Sequence, residues 1–127
     1  MNHELTIKSL IDGEVDSSAE TKKIYSHDAS MFELVPDLVV FPKNSHDVQK
    51  LVSYVREQKK ADPKLSLTAR SGGTCMSGGS INQSIILDMN RHLNKIGAVS
   101  STTANAQPGV FYRDFEKATL KKRFTNA

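Results

Sequence analysis

The 127-residue chain carries 38% apolar and 24% charged residues, a soluble globular balance sized for one domain. Its 17 Lys and Arg against 14 Asp and Glu leave a net charge of +3, scattered and densest at Lys121-Lys122-Arg123; a nucleic-acid-binding face would concentrate such charge and interleave it with aromatics. Cys75 is the single cysteine, which excludes an internal disulfide and fits a reducing compartment. The sequence has no apolar run of about 18 residues and no basic-then-apolar leader, so the cytoplasm is the expected location.

Residues 1–24 read as a polar, partly helical lead-in. Leu5, Ile7, Leu10 and Ile11 anchor a short helix that Asp12-Gly13 ends, and Ser17-Ser18 caps another through Lys23. From residue 25 the pattern sharpens. Leu38-Val39-Val40-Phe41, β-branched and bounded by Pro36 and Pro42, predicts a buried strand. Asn44 or Ser45 caps a helix with Asp47 in its first turn, next to His46, and with Val48, Leu51, Val52 and Val55 along one face. Arg56, Lys59 and Lys60 gather at its end and Pro63 stops it.

Leu65-Ser66-Leu67-Thr68-Ala69 alternates as a second strand, and Ile85-Ile86-Leu87-Asp88 makes a third. Residues 95–107 hold two more short strands with a turn near Ser100-Ser101. Pro108-Gly109 breaks the pattern, and Phe111, Phe115 and Ala118 mark a closing helix. The order implies an α+β arrangement, a small mixed sheet with helices packed on one face.

Between the second and third strands lies Arg70-Ser71-Gly72-Gly73-Thr74-Cys75-Met76-Ser77-Gly78-Gly79. Glycine admits positive φ and bares the backbone, so that successive N–H groups form an anion-binding nest. The hydroxyls of Ser71, Thr74 and Ser77 add donors without bulk. A diphosphate suits such a loop; a ligand-free surface turn is the other reading. A Walker loop is excluded because no lysine lies between Lys64 and Lys95. A dinucleotide fingerprint needs glycines that open a helix, whereas residues 81–88 read as strand.

Taken in order, several segments resemble the FAD-binding domain of the FAD-linked oxidases, the p-cresol methylhydroxylase (PCMH) and vanillyl-alcohol oxidase type. They are Tyr25 to Ser30, Pro36 to Pro42 followed by Asp47-Val48, Arg70 to Gly79, and Gln107-Pro108-Gly109-Val110. The branch most similar is that of the dehydrogenases acting on D-lactate, glycolate or 2-hydroxyglutarate. The resemblance covers about residues 25–120, and it implies that residues 25–127 are the N-terminal portion of a PCMH-type domain, incomplete at its C-terminus.

That resemblance implies FAD as cofactor, with a small-molecule substrate in the full-length family. Backbone N–H groups from Ser71 to Cys75 would hold its diphosphate, Ser77 would add a donor, and Gly78 and Gly79 would admit close approach. Pro42, Pro108 and Gly109 would line the same cleft. Arg70 would either pair with phosphate or make a structural ion pair. Members with flavin bound covalently through this loop carry His where this chain has Thr74, so non-covalent FAD is expected, with Cys75 packing as a small residue. A second glycine-rich segment and a substrate domain of the family have no counterpart here. The chain alone is therefore expected not to turn over substrate, and to self-associate as a homodimer through the truncated face. The competing function is a non-catalytic remnant or interaction module that keeps the fold without flavin.

No other cluster carries chemistry. His3, His27, His46 and His92 are far apart and lack metal-ligand spacing. Asp28 and Ser30 read as a turn, His46 as part of a helix cap, and Asp88 as the cap of the turn at Asn90. No catalytic residue is assigned.

Overall fold

The computed structural model describes residues 3–125, with side chains as far as Lys121. The side chains of Lys122 and Arg123 in the basic run, and the end of the predicted domain at Ala127, lie outside the described residues. In chain order the elements are α1 (His3–Leu10), β1 (Glu14–Asp16), α2 (Ala19–Tyr25), β2 (Leu38–Phe41), α3 (Ser45–Gln58), β3 (Leu67–Arg70), β4 (Ile85–Asp88), β5 (Ile96–Val99), β6 (Ala104–Ala106) and α4 (Tyr112–Thr125).

The two strongest apolar runs form the centre. β2 and β4 are parallel neighbours in the register Leu38↔Ile85, Val39↔Ile86 and Val40↔Leu87, and every residue of both is buried. Strands covered on both faces read as continuous apolar runs, which is why these two are visible in the sequence. β3 pairs parallel to the far side of β4 and β1 pairs antiparallel to β2, giving a mixed four-stranded sheet in the order β1-β2-β4-β3. β5 and β6 form a separate antiparallel hairpin.

Side chains alternate across a strand, and the two faces of the sheet are covered differently. Leu38, Val40, Ile85 and Leu87 point into the main core with Ile7 and Ile11 of the α1 region and Leu51 and Tyr54 of α3. Val39, Phe41 and Ile86 point the other way and are equally buried, with Tyr25 of α2 edge-on to the Phe41 ring at 6.0 Å. Helices therefore cover both faces, where the sequence predicts one. Between β3 and β4 a helix-free connection replaces the usual crossover helix. Its return limb is fastened to β3 by Asn82, whose amide donates to Ser66 Oγ and Thr68 Oγ1, both at 3.0 Å.

Two further differences have clear causes. β1 is absent from the sequence reading because Glu14-Val15-Asp16 offers one apolar residue and gains its order from pairing with β2. On α3, Tyr54 is buried and Val52 is 52% exposed, so the core face runs through Leu51 and Tyr54 and leaves Val52 outside. Ser18 caps α2 and Asn44 caps α3, the latter accepting from the Asp47 amide at 2.9 Å. Among the described residues, no helix is long and apolar enough to cross a membrane.

Asp47 does more than favour a helix start. It is fully buried, and its carboxylate accepts the Asp12 amide at 3.0 Å and the Lys43 amide at 2.9 Å. The turn after α1 and the turn after β2 are thereby joined. Replacing Asp47 by Ala strands both donors and is expected to lower the unfolding free energy in urea by about 2 kcal/mol, with Asp47→Asn losing less. A loss within about 0.5 kcal/mol, the range of ordinary surface changes, would show that the carboxylate does not hold these turns.

Candidate functional site

The three parallel strands deliver their carboxyl ends to one edge, the side on which open sheets bind ligands. β2 runs from Phe41 into Pro42, β4 ends at Asp88, and β3 ends at Arg70 and opens into the glycine-rich loop. In that loop Gly73 (φ 65°) and Gly78 (φ 79°) occupy the left-handed region, which residues with a side chain rarely adopt. The N–H groups of Gly72, Gly73 and Thr74 donate to no acceptor among the described residues. Gly72, Thr74, Ser77 and Gly79 are exposed, and Ser71, Gly73, Cys75 and Gly78 are half-buried.

Arg70 lies beneath this backbone. Its guanidinium donates to the His27 carbonyl at 2.7 Å and to the Tyr25 carbonyl at 3.4 Å, and stands 5.0 Å above the centre of the Tyr25 ring. A Cβ on Gly73 would come 2.5 Å from one of its terminal nitrogens. Its hydrogen bonds run to these carbonyls and, among the described residues, to no carboxylate, and they leave a positive charge directly under Gly73.

The other predicted site segments reach the same edge by different means. Pro42 is fully buried and backed by Gly13, where a Cβ would collide with the Phe41 carbonyl. Gly109 is buried against the end of β4; a Cβ there would run into the Met89 carbonyl, and its own carbonyl accepts from the Asn90 amide at 2.8 Å. Pro108 beside it is exposed. Phe111, two residues on, brings this segment to the glycine loop, its ring 2.7 Å from the position of a Cβ on Gly72.

Two contacts of this edge escape sequence reasoning, Tyr25 with Asp88 and Phe111 with Gly72. Tyr25 and Asp88 are joined by a 2.6 Å hydrogen bond from the phenol to the carboxylate, across 63 positions of sequence. Burial, and then the Asp88 carboxylate, push the phenol above its ordinary pKa range. No local pattern announces such a pair. Phe111 reads as the first core residue of a helix but is 48% exposed and lies on the loop instead. Asp88 also caps the following turn through the Arg91 amide at 2.8 Å, one residue beyond the position that the sequence predicts.

A cleft of about 970 Å³ opens at the opposite, amino end of the strands, lined by residues that include His3, Lys22, Asp37, Asp62, Lys64 and Gln83. Among the described residues, no glycine lines it. A smaller hollow of about 380 Å³ lies against Asn90, Ile96, Gly109 and Phe111, beside the loop. Among the described residues no three His, Cys, Asp or Glu side chains are grouped to hold a metal.

A family model of the FAD binding domain matches residues 36–127, and the chain belongs to that family. Its relatives include the D-2-hydroxyglutarate dehydrogenase of Escherichia coli (strain K12), 37% identical over 84 residues, a match covering 66% of this chain and 8% of that protein. Another is the glycolate oxidase subunit GlcD of Bacillus subtilis (strain 168), 30% identical over 111 residues, covering 84% of this chain and 23% of that protein. Among solved structures, 6-hydroxy-D-nicotine oxidase from Arthrobacter nicotinovorans superposes with a TM-score of 0.70 at 27% identity, over 87% of this chain and 24% of that one. An alkyldihydroxyacetonephosphate synthase shares the fold, with a TM-score of 0.62 at 20% identity over 85% of this chain and 22% of that one. The chain thus spans less than a quarter of the length of each of these proteins.

The family resemblance, the α+β PCMH-type architecture and FAD as cofactor, all legible in the ordered motifs, stand on these matches. The residues fit the group. A diphosphate asks for free N–H donors on small exposed residues with a positive charge close by, and residues 71–79 over Arg70 offer that set.

Cys75 provides a probe within the loop. Its sulfur lies 3.3 Å from Ser77 Oγ and accepts the Gly79 amide at 3.2 Å. The Ser77 hydroxyl, followed by the Ser77 and Gly79 amides, holds the thiol below its ordinary pKa range. Donors to sulfur favour the thiolate, so alkylation by iodoacetamide is expected to rise with pH through a midpoint below that of a free cysteine, about 8.5. Ser77→Ala is expected to move the midpoint upward; the same midpoint in both proteins would remove Ser77 as the cause.

Proposed function

We propose that the chain forms the diphosphate-holding part of the FAD site in a flavin-dependent oxidoreductase that acts on a 2-hydroxy acid, with residues 25–127 as the N-terminal portion of that domain and residues 1–24 as its lead-in. The observation that carries the reading is the loop after β3, in which Gly73 and Gly78 take left-handed φ values and the amides of Gly72, Gly73 and Thr74 have no protein acceptor among the described residues. The substrate class rests on the relatives, whose names specify D-2-hydroxyglutarate and glycolate as what they act on.

In this reading each part of the loop has a role. Residues 71–75 present amides to the diphosphate, and the hydroxyls of Ser71, Thr74 and Ser77 complete the donor set. Gly78 and Gly79 keep the second limb free of side chains. Arg70, engaged with carbonyls, contributes field and not a direct contact. Pro42 and Gly109 support the edge from below, and Pro108 stands exposed beside it. Bound FAD supplies the electron acceptor; what the protein adds is position and electrostatics. Thr74 offers no nucleophile comparable to an imidazole, so the flavin is held without a covalent bond.

Two measurements test this. Gly73→Val places a branched side chain at positive φ, where it would collide with the Arg70 guanidinium and force the loop backbone out of place. It is expected to abolish binding of FAD and ADP in calorimetric titration while far-UV circular dichroism still reports a folded protein, since the loop lies outside the core. Unchanged affinity would exclude the loop as the site. Separately, acid precipitation of the FAD-loaded protein is expected to leave the flavin in the supernatant; yellow colour in the pellet would show a covalent bond.

A further inference from the structure

Both limbs of the glycine loop are fastened to one short segment that has no assigned role. Residues 26–34 fold back on themselves. The Leu34 amide donates to the Ser26 carbonyl at 2.9 Å, and His27 and Glu33 form an antiparallel bridge. Inside this small loop Asp28 Oδ1 accepts the Ser30 amide at 2.9 Å, and Ser30 Oγ accepts the Phe32 amide at 3.2 Å. Arg70 ties the outgoing limb to it through the His27 carbonyl. The returning limb is tied by buried Ser80, whose hydroxyl donates to Asp28 Oδ2 at 3.0 Å. Between these ties, a Cβ on Gly78 would lie 3.1 Å from the Phe32 ring and 3.7 Å from Ser30 Oγ.

We infer that the 26–34 loop is a latch that sets the geometry of the glycine loop, and that Asp28 is its positioning residue for the cofactor's diphosphate. The inference rests on the reading of residues 70–79 as the cofactor site. The glycine loop needs such a support. The amides of Gly72, Gly73 and Thr74 donate to no acceptor among the described residues, and amides left for a ligand cannot also hold the loop in shape. Asp28 solves this with one carboxylate. One oxygen shapes the latch and the other grips the returning limb, while Arg70, at the head of the outgoing limb, holds the same segment through the His27 carbonyl.

Two readouts on the whole chain test it, with ADP as the probe. The first is calorimetric affinity for ADP in the native protein and in the Asp28→Ala, Asp28→Asn, Ser80→Ala and Asp28→Ala/Ser80→Ala variants. The second is the ¹⁵N order parameter of Gly78 and Gly79 without ligand. Loss of a hydrogen bond to a charged group is expected to weaken ADP binding about tenfold in each single Ala variant. The double variant should be no weaker than the weaker single, because both remove the same contact. Asn at position 28 keeps an acceptor for the Ser30 amide and can donate to Ser80 Oγ, so it should recover most of the affinity. The order parameters should fall below about 0.6 in Asp28→Ala while β2 and β4 stay near 0.85. Unchanged order parameters would overturn the latch, as would loosened glycines with unchanged ADP affinity. If the native protein bound no ADP, the site reading would fall, and the order parameters alone would decide whether the latch holds the loop.

Discussion

The carboxylate of Asp88 is shared: one oxygen takes the Tyr25 hydroxyl at 2.6 Å and the other the Arg91 amide at 2.8 Å. The first contact binds the end of α2 to the end of β4, and the second turns the chain as it leaves the strand. Tyr25 then becomes the platform for Arg70 on one side and the edge-on neighbour of Phe41 on the other. Arg91 returns to lie 3.5 Å over the Phe41 ring. The ends of all three parallel strands are thus joined through one buried acid, and the glycine loop emerges from that joined edge. A buried carboxylate is costly unless fully partnered, and here both of its oxygens are used.

In the proposed site, the work of holding an anion would be divided between two sets of residues. The set that would meet a ligand is nearly featureless: glycines, small hydroxyls, bare amides. The set that holds it is charged and aromatic and sits a layer below. Arg70 shows the division most clearly, because a guanidinium next to a phosphate loop invites the reading of direct contact, yet its bonds go to the carbonyls of Tyr25 and His27.

Much of this was legible in the sequence, for physical reasons that differ by element. β2 and β4 were visible as strands because both faces are buried, so four consecutive apolar residues record them. The caps at Ser18 and Asn44 and the glycine loop were visible because backbone geometry restricts which residue types fit. What was hidden depends on partners far away in the chain. β1 has one apolar residue and exists through β2. Val52 obeys the helical period yet faces outward, because the sheet meets α3 along Leu51 and Tyr54. The Tyr25–Asp88 pair and the contact of Phe111 with Gly72 are tertiary events that no spacing rule encodes. Asp28 reads as a turn residue, and one oxygen accepts the Ser30 amide as a turn requires; its second oxygen meets Ser80, 52 positions away, which no local pattern encodes.

The pairing of β3 has a consequence for how this chain can vary in length. β3 sits at the edge of its sheet and is registered against β4 alone, with Thr68 beside Ile86 and Arg70 beside Asp88. A shift of one residue in such a ladder turns every side chain to the opposite face. Arg70 would then leave the Tyr25 ring for the main core, and the loop would start from the wrong face. Insertions and deletions between Lys59 and Leu65, where the chain turns outside the sheet, leave that register untouched. One residue gained or lost within Leu67–Arg70 does not, so related chains can differ freely in the turn before the strand while the strand itself holds a fixed count.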